Sequence, residues 1–208
     1  MTAGAVVKRA FDLIASGVAL VVWLPVGLAV AALITLDSPG PVFYRGRRIG
    51  RHLRPFHIFK FRTMVPDAER LGGPSTAHHD PRLTRVGALL RRYKLDELPQ
   101  VLNILRGEMS VVGPRPQVEM YTRLYSERER VIFDVRPGLT DYASIQFINL
   151  DEVLGDHDVD ERYRQHIEPV KNRLRAKYVE QQSFWVDIKI LWLTALALAG
   201  LYRMRTEP

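Results

Sequence analysis

The sequence predicts an α+β fold that is predominantly helical, with a re-entrant N-terminal membrane helical hairpin, a polar body containing a small β-hairpin, and amphipathic helices at the membrane interface. Three observations carry this prediction: a long uncharged segment near the N-terminus, helical spacing of apolar residues in the middle, and a second apolar segment near the C-terminus. We expect residues 1–37 to form the re-entrant helix, residues 38–182 the polar body and residues 183–208 an interfacial helix of the same unit.

The composition is that of a folded protein with a basic surface. Of the 208 residues, 47% are hydrophobic and 25% are charged, and 30 Lys and Arg against 23 Asp and Glu give a formal net charge of +7. These values exclude disordered and collagen-like chains, and the positive charge favours anionic lipid, polyanions or phosphorylated substrates as partners. The absence of cysteine excludes a disulfide framework, a thiolate nucleophile, a Cys-ligated zinc site and an iron–sulfur cluster.

The N-terminal apolar segment is long enough to enter a bilayer. No charged residue occurs between Leu13 and Leu36, and a helix of that length would reach roughly 36 Å against a hydrocarbon core of ~30 Å. A plain transmembrane anchor is the simplest alternative. A signal peptide cleaved at Ala29-Val30-Ala31 is another, although the arginines that follow the segment argue against export.

Positive charge stands on both sides of this segment. Lys8 and Arg9 precede it, and five arginines follow it between residues 45 and 54. Because positive flanks remain on the cytoplasmic side, both ends are expected there. Pro25 lies near the middle, where it removes a backbone donor and bends a helix. We therefore predict that residues 6–36 enter and leave the membrane by the same leaflet.

The C-terminal apolar segment runs from Phe184 to Tyr202. Asp187 and Lys189 occur early in it, which leaves an uncharged run that is short for a membrane span. Its aromatic residues, Trp185 among them, suit the depth of lipid headgroups. The pattern predicts a helix lying along the interface, with a buried core helix as the alternative.

The polar body is expected to be a single unit. Residues 42–44 and 56–61 read as two short strands joined into a hairpin through an arginine-rich stretch, and residues 83–93 as a helix with one buried stripe. Residues 67–81 are rich in Gly and Pro and predict a loop after one short helical turn. His78-His79-Asp80 in this loop is an alternative metal site, although adjacent polar residues on a loop are usually solvated.

Asp96 and Glu97 are the candidate catalytic pair. Pro99 is best tolerated in the first turn of a helix, so the helix that follows begins close to Asp96 and the two acids lie at its N-terminus. Free backbone N–H groups at that position favour ionised carboxylates and attract phosphate. Acids at such positions are, taken alone, most often helix caps.

Basic residues in short, stiff stretches favour a catalytic interpretation. The cations concerned are Lys60, Arg62, Arg115 and Arg136. Arginine in such a context suits two-point contact with phosphate. Adjacent carboxylates among several cations, with no other metal ligands in sight, suit a diphosphate bound with magnesium.

Together these motifs resemble the bacterial sugar transferases, in particular the small monotopic phosphoglycosyl transferases that act on polyprenyl phosphate. The resemblance runs in order along nearly the whole chain. Its motifs are Lys8-Arg9-Ala10-Phe11-Asp12, Ser38-Pro39-Gly40-Pro41-Val42-Phe43, Lys60-Phe61-Arg62-Thr63-Met64, Leu95-Asp96-Glu97-Leu98-Pro99-Gln100, Gly113-Pro114-Arg115-Pro116, Arg136-Pro137-Gly138-Leu139-Thr140 and Ser183-Phe184-Trp185.

The resemblance implies that residues 38–182 form a catalytic domain at the cytoplasmic face of a bacterial inner membrane. It implies that Asp96 attacks the sugar-bearing phosphorus of a UDP-sugar, releases UMP, and passes the phosphosugar to undecaprenyl phosphate, which initiates polysaccharide assembly. Asp96 and Glu97 would hold Mg²⁺. The cations implied to contact the diphosphate are Lys60, Arg62 and Arg115, with Arg136 as a further nucleotide or phosphate contact. The implied partners are these substrates and membrane lipid, with no nucleic acid; a homodimer is left open.

The sequence departs from the family pattern at three places. Leu24 precedes Pro25 where many members carry Ser, and Lys94 replaces a common Ser before the acid pair. The run Asp141-Tyr142-Ala143-Ser144 stands where many members read Gly-x-Ala-Gln. These departures affect the hairpin bend, the cap of the acid-bearing helix and the sugar preference, respectively.

Two other classes of protein compete with this interpretation. A non-catalytic peripheral protein could bind anionic lipid or another polyanion through residues 45–62, which include no acid. A membrane anchor carrying a soluble hydrolase is the second alternative. No serine elbow, metalloprotease motif or Walker loop occurs in the sequence to support it.

Overall fold

The computed structural model describes residues 3–73, 75–77, 79–155 and 157–204. The α-helices in this part of the chain are α1 (Ala3–Asp37), α2 (Ala68–Leu71), α3 (Arg85–Arg92), α4 (Val101–Arg106), α5 (Glu119–Thr122), α6 (Tyr142–Gln146), α7 (Leu150–Leu154), α8 (Val159–Arg162), α9 (Glu168–Gln181) and α10 (Phe184–Leu198). The strands are β1 (Phe43–Tyr44), β2 (Arg47–Ile49), β3 (Pro55–His57), β4 (Lys60–Phe61), β5 (Ser110–Val112) and β6 (Gly138–Thr140). Turns of 3₁₀-helix cover Arg51–Leu53, Leu95–Gln100 and Glu129–Asp134, and a π-helical turn covers Tyr163–Ile167. The prediction of a mainly helical fold with small sheets is confirmed.

Helix α1 has 35 residues and includes Pro25. Within the described chain it is the helix long and apolar enough to cross a membrane, which indicates that the protein associates with one. One of its faces packs on the body through Trp23, Val30 and Ile34, whose separations of seven and four residues place them on one side of a helix. The opposite face exposes large aliphatic side chains along most of its length. The bend at Pro25 stays a prediction.

Both ends of α1 contact the polar body. Near the N-terminus, Lys8 Nζ lies 2.5 Å from Asp187 Oδ2 in α10. Asp12 is 1% exposed and accepts hydrogen bonds from the start of β5. At the other end, Asp37 Oδ2 accepts a hydrogen bond from the backbone N–H of Val86, at the start of α3. The helix is therefore tied to one body by polar contacts at each end.

The predicted β-hairpin is present as two antiparallel pairs. β1 pairs with β4, and β2 pairs with β3, with the turn at residues 51–53 between them. The strand expected at residues 56–61 is divided between β3 and β4. The inner pair exposes Arg47 and His57 and buries Ile49 and Phe56. In the outer pair, Phe61 is 2% exposed and packs against Trp23. The outer pair therefore joins the ribbon to α1.

A parallel pair that the sequence did not predict joins β5 to β6. Gly113 follows β5 and Gly138 begins β6, and a Cβ at Gly138 would be only 2.1 Å from Gly113 N. Because such a contact is impossible for a larger residue, glycine at this position allows the two segments to approach. Three-residue strands have too few positions for an alternating pattern to be recognised from sequence.

Helix α10 is buried on one face and exposed on the other. Ile190 is fully buried against the β5–β6 region, whereas Trp185 and Trp192 are 77% and 65% exposed. The buried face belongs to the core, as the alternative interpretation expected. The prediction that this helix lies along the membrane interface concerns its exposed aromatic face.

Candidate active site

The two candidate acids lie in the first turn of the 3₁₀-helix that leads into α4. Lys94 precedes them in a left-handed conformation, with φ of 56°, and its side chain makes no capping hydrogen bond. The helical turn begins at Leu95, close to the predicted start at Asp96, but Pro99 lies late in it, two residues before α4 begins at Val101. Asp96 is 6% exposed, so this acid is not a solvated helix cap.

Lys60 reaches the acids from β4. Its Nζ lies 2.7 Å from Glu97 Oε1 and 3.9 Å from Asp96 Oδ2. Strand pairing with β1 fixes the Lys60 backbone opposite Tyr44. The lysine is separated from Glu97 by 37 residues in the chain and joined to it by a hydrogen bond.

Arg115 reaches the same acid from the loop after β5. Its Nη1 donates to Glu97 Oε2 at 2.8 Å, and its Nη2 donates to Glu97 Oε1. Pro114 and Pro116 flank it and restrict the backbone. Such a two-point contact holds a carboxylate in a defined orientation.

The two acids have different surroundings. Glu97 accepts hydrogen bonds from Lys60 and Arg115 on both oxygens. No described residue donates a hydrogen bond to the Asp96 carboxylate, although it lies beside the same cations. Glu97 is thus the anchored member of the pair, whereas the buried Asp96 carboxylate has no hydrogen-bond donor among the described residues.

Burial and the neighbouring charges shift the pKa values of this cluster in different directions. Burial raises the pKa of Asp96, and Lys60 opposes that shift. Burial would also raise the pKa of Glu97, but Arg115 and Lys60 hold it well below its usual range. Burial lowers the pKa of Lys60, while Glu97 acts against it. Glu97 is therefore the permanent counter-ion of the two cations.

Arg62 and Arg136 donate hydrogen bonds to backbone carbonyls and not to the two acids. Arg62 is 7% exposed and donates to the carbonyls of Ser38 and Pro39, so it ties the segment after α1 to β4. Arg136 donates from Nε to the Gly107 carbonyl. Among the sequence-predicted residues, the structure thus brings together Asp96, Glu97, Lys60 and Arg115. Phosphate contacts by Arg62 and Arg136 stay predictions.

Three further residues lie near this cluster, and the sequence analysis gave none of them a role in the site. Arg91 lowers the pKa of Asp96 by its charge and donates to Thr63 Oγ1. Asp141 is fully buried and accepts a hydrogen bond from the backbone N–H of Arg115. Lys171, 6% exposed, lies within electrostatic range of Arg115. The available signals were the position of Arg91 at the end of the preceding helix and the departure of Asp141 from the family pattern.

Asp96 and Glu97 suit a magnesium ion that takes its other ligands from substrate phosphates and water. Across the described ranges, no group of three or more His, Asp or Glu side chains converges into a metal cage. Mg²⁺ usually binds through one or two carboxylates together with substrate phosphates and water. The Asp96 carboxylate, which accepts no hydrogen bond from the described residues, and the remaining lone pairs of Glu97 suit that arrangement.

The alternative metal motif and a cavity beside it lie away from the acids. His78 is outside the described residues, and Asp80 is engaged by Arg82, with Arg82 Nη2 2.6 Å from Asp80 Oδ2. A cavity of about 770 Å³ opens between this loop and α8, and its lining includes neither Asp96 nor Lys60. Leu95 and Leu98, which flank the acids in the sequence, pack against the cluster that contains Trp23 of α1 and Phe61.

Comparison with known proteins places these features in context. Residues 3–200 match the model of the family described as bacterial sugar transferase. The chain is 39% identical to the exopolysaccharide production protein ExoY of Rhizobium meliloti, over 94% of this chain and 86% of that protein. It is 35% identical to an Aeromonas hydrophila protein named UDP-N-acetylgalactosamine-undecaprenyl-phosphate N-acetylgalactosaminephosphotransferase, over 91% of this chain and 43% of that one.

A third relative carries a different sugar in its name. The chain is 41% identical to the undecaprenyl-phosphate glucose phosphotransferase of Komagataeibacter xylinus, over 90% of this chain and 35% of that protein. The chain thus spans less than half the length of these two relatives with named sugars. Because the two names differ in the sugar, overall similarity does not specify a donor.

Proposed function

This chain belongs to the bacterial sugar transferase family and is a transferase, and we propose that it moves a sugar-1-phosphate from a UDP-sugar to undecaprenyl phosphate. The observation that carries the proposal is the contrast within the acid pair. Glu97 is held by Lys60 and Arg115, while Asp96 beside it accepts no hydrogen bond from the described residues. A carboxylate in this setting suits a nucleophile at an anionic substrate.

In the first step, an Asp96 carboxylate oxygen attacks the sugar-bearing phosphorus of the donor. A bond forms between that oxygen and the phosphorus, and the bond from this phosphorus to the bridging oxygen breaks. UMP leaves with the bonding electron pair, and the sugar phosphate remains on Asp96 as an acyl phosphate. The weak basicity of a carboxylate makes this intermediate a good donor for the next transfer.

In the second step, a phosphate oxygen of undecaprenyl phosphate attacks the same phosphorus. The bond to Asp96 breaks and returns the electron pair to the carboxylate. The product is a lipid diphosphosugar, and the enzyme is restored. Splitting the transfer in this way allows the soluble donor and the lipid acceptor to use one site in succession.

The cations around the acids stabilise the charge of the transferring group. Lys60 and Arg115 lie in fixed positions and are largely shielded from water, where their attraction for phosphate oxygens is strongest. Arg91 adds charge on the Asp96 side. A Mg²⁺ held by Asp96 and Glu97 would add Lewis-acid stabilisation of the diphosphate.

We further propose that α1 is re-entrant and that the active site faces the cytoplasm. Contacts of Lys8 and Asp37 with one body support this, because a spanning helix would carry one end to the opposite side of the bilayer. The bend would fall at Pro25. The exposed Trp185 and Trp192 support an interfacial position for α10.

The proposal is tested by measuring UMP release from a panel of UDP-sugars in the presence of undecaprenyl phosphate and Mg²⁺. We expect release with at least one donor, and retention of the sugar's radiolabel on the protein when the lipid acceptor is withheld. Release that occurs without any labelled protein intermediate would favour direct transfer. No release across the panel, together with salt-sensitive binding to anionic vesicles that does not need Asp96, would support the non-catalytic alternative.

A further inference from the structure

Asp141 connects the loop that carries Arg115 to the start of α6. Its Oδ1 accepts hydrogen bonds from the backbone N–H and the hydroxyl of Ser144, at 2.6 and 2.7 Å. Its Oδ2 accepts a hydrogen bond from the backbone N–H of Arg115 at 3.0 Å. The contact to Ser144 is an ordinary helix cap and needs one carboxylate oxygen. The contact to Arg115 uses the second oxygen and joins residues 26 apart in sequence.

The Arg115 backbone has few other restraints of this kind. Gly113 N donates to Thr140 O, and Gly138 N donates to Pro114 O, so β6 holds the residues just before Arg115. Flanking prolines remove the neighbouring N–H groups. The Arg115 N–H is therefore the donor closest to the guanidinium, and Asp141 is its acceptor.

The surroundings of Asp141 are those of a buried ionic group. It is fully buried, and the Lys171 ammonium interacts electrostatically with both Asp141 and Arg115. That ammonium lies over the Phe147 and Tyr163 rings, 5.4 and 5.0 Å from their centroids. A buried carboxylate with a nearby cation is costly to build for the cap of a five-residue helix alone.

We propose that Asp141 is a positioning residue that acts through Arg115. By holding the Arg115 backbone, it determines where the guanidinium meets Glu97 and thereby the geometry offered to the donor diphosphate. The kinetic part of this inference rests on the proposed function.

Two variants separate the clamp from the cap. Asp141→Ser keeps one oxygen that can cap Ser144 and removes the acceptor for Arg115, because serine is a good N-cap residue with a single side-chain oxygen. Ser144→Ala weakens the cap and leaves the acceptor for Arg115 in place. Asp141→Asn, which keeps the shape of the side chain, replaces Asp141→Ser if the latter does not fold.

The first readout is amide hydrogen exchange at Arg115 in the full-length protein in nanodiscs. We expect exchange to become roughly tenfold faster in Asp141→Ser and to change little in Ser144→Ala. Unchanged exchange in Asp141→Ser would overturn the proposal whatever donor the enzyme uses. If exchange accelerates but no UDP-sugar is turned over by the unaltered protein, the proposed function fails while the clamp itself stands.

The second readout is a kinetic double-mutant cycle. Asp141→Ser is expected to lower kcat roughly tenfold or more, with a smaller effect on the donor KM, because misplacement of a charge-stabilising group affects the transition state most. In an Arg115→Lys background, Asp141→Ser should lower kcat only slightly further. If the double variant instead lost kcat by the product of the two single-variant losses, Asp141 would not act through Arg115.

Discussion

The Lys60 ammonium lies 3.9 Å from the Asp96 carboxylate, beyond hydrogen-bond distance, although it is hydrogen-bonded to the neighbouring Glu97 at 2.7 Å. Lys60 therefore acts on Asp96 through its charge alone. This attraction favours the ionised acid without occupying its lone pairs. An anionic nucleophile approaching an anionic phosphorus centre requires that combination.

Replacing the proposed nucleophile should abolish the covalent step. Asp96→Asn retains the shape of the side chain but lacks a carboxylate, so we expect UMP release to fall by at least ~1,000-fold and no labelled sugar phosphate to remain on the protein. The measurement is UMP release together with radiolabel trapping without lipid acceptor. Asp67→Asn, in the loop before α2, is the matched control and should behave as the unaltered protein. Normal turnover by Asp96→Asn would reject the assignment.

The acid side of the pH–activity profile should depend on Lys60. Burial raises the pKa of Asp96, and Lys60 lowers it. Removing this cation in Lys60→Met raises the pKa further, so a higher pH is needed to ionise the nucleophile. We expect the acid limb of the kcat/KM profile to move to higher pH, in addition to a loss of rate.

Lys94→Met is the control for the pH experiment. Lys94 is exposed and directly precedes the same short helix, whereas the cations that mainly lower the pKa of Asp96 are Lys60, Arg91 and Arg115. Its removal should leave the acid limb in place. Equal displacement in both variants would indicate a general change in surface charge.

Lys171 should make stability depend on pH. Burial lowers its pKa from 10.5 to about 7 in the folded chain. Between these values the unfolded chain holds the proton more tightly, so the penalty for burying this group is complete below about pH 7 and disappears as the pH rises toward 10.5. Lys171→Met should therefore raise Tm most at pH 7, by about 2–4 °C for each kcal/mol regained.

The Lys171 experiment is read from thermal unfolding at pH 7 and pH 9.5. Lys177→Met, an exposed change on the same helix, is the control and should alter Tm little at either pH. The gain for Lys171→Met should shrink at pH 9.5. A gain of the same size at both values would show that packing, not protonation, is responsible.

The pair of Lys8 and Asp187 should contribute strongly to the attachment of α1. Their charged groups lie 2.5 Å apart, and the Asp187 side chain is 3% exposed. Lys8→Met leaves a buried carboxylate without its counter-ion, which typically costs roughly 3–5 kcal/mol. We expect Lys8→Met with Asp187→Leu to recover part of the Tm lost by Lys8→Met alone. The exposed pair of Arg123 and Glu119 is the control, and Arg123→Met should cost less than ~1 kcal/mol.

The orientation of α1 can be measured with introduced cysteines, because the chain has none of its own. Ala5→Cys and Arg54→Cys place exposed thiols before and after the apolar segment. In sealed vesicles, a re-entrant helix makes both positions react with a membrane-impermeant reagent from the same side. Labelling from opposite sides would establish a spanning helix. Labelling of detergent-solubilised protein controls for thiol reactivity.

Features that depend on neighbouring residues in the sequence were predicted well. The apolar length of α1, the start of a helix at Asp96 and the ribbon after α1 follow from local periodicity, proline tolerance and breaker residues. The parallel contact between β5 and β6 was missed because each strand has three residues. The break between β3 and β4 was missed because residues 56–61 read as one continuous strand.

The sequence by itself determined that two adjacent acids begin a helix, that stiff basic loops accompany them, and that an apolar helix attaches the chain to a membrane. The tertiary structure decided which cations meet the acids. Lys60 and Arg115 both bind Glu97, while Arg62 and Arg136 donate hydrogen bonds to backbone carbonyls. The reason is that a guanidinium goes to whichever acceptors the folded chain brings near it, and those acceptors come from distant segments. Sequence patterns describe only the local part of that choice.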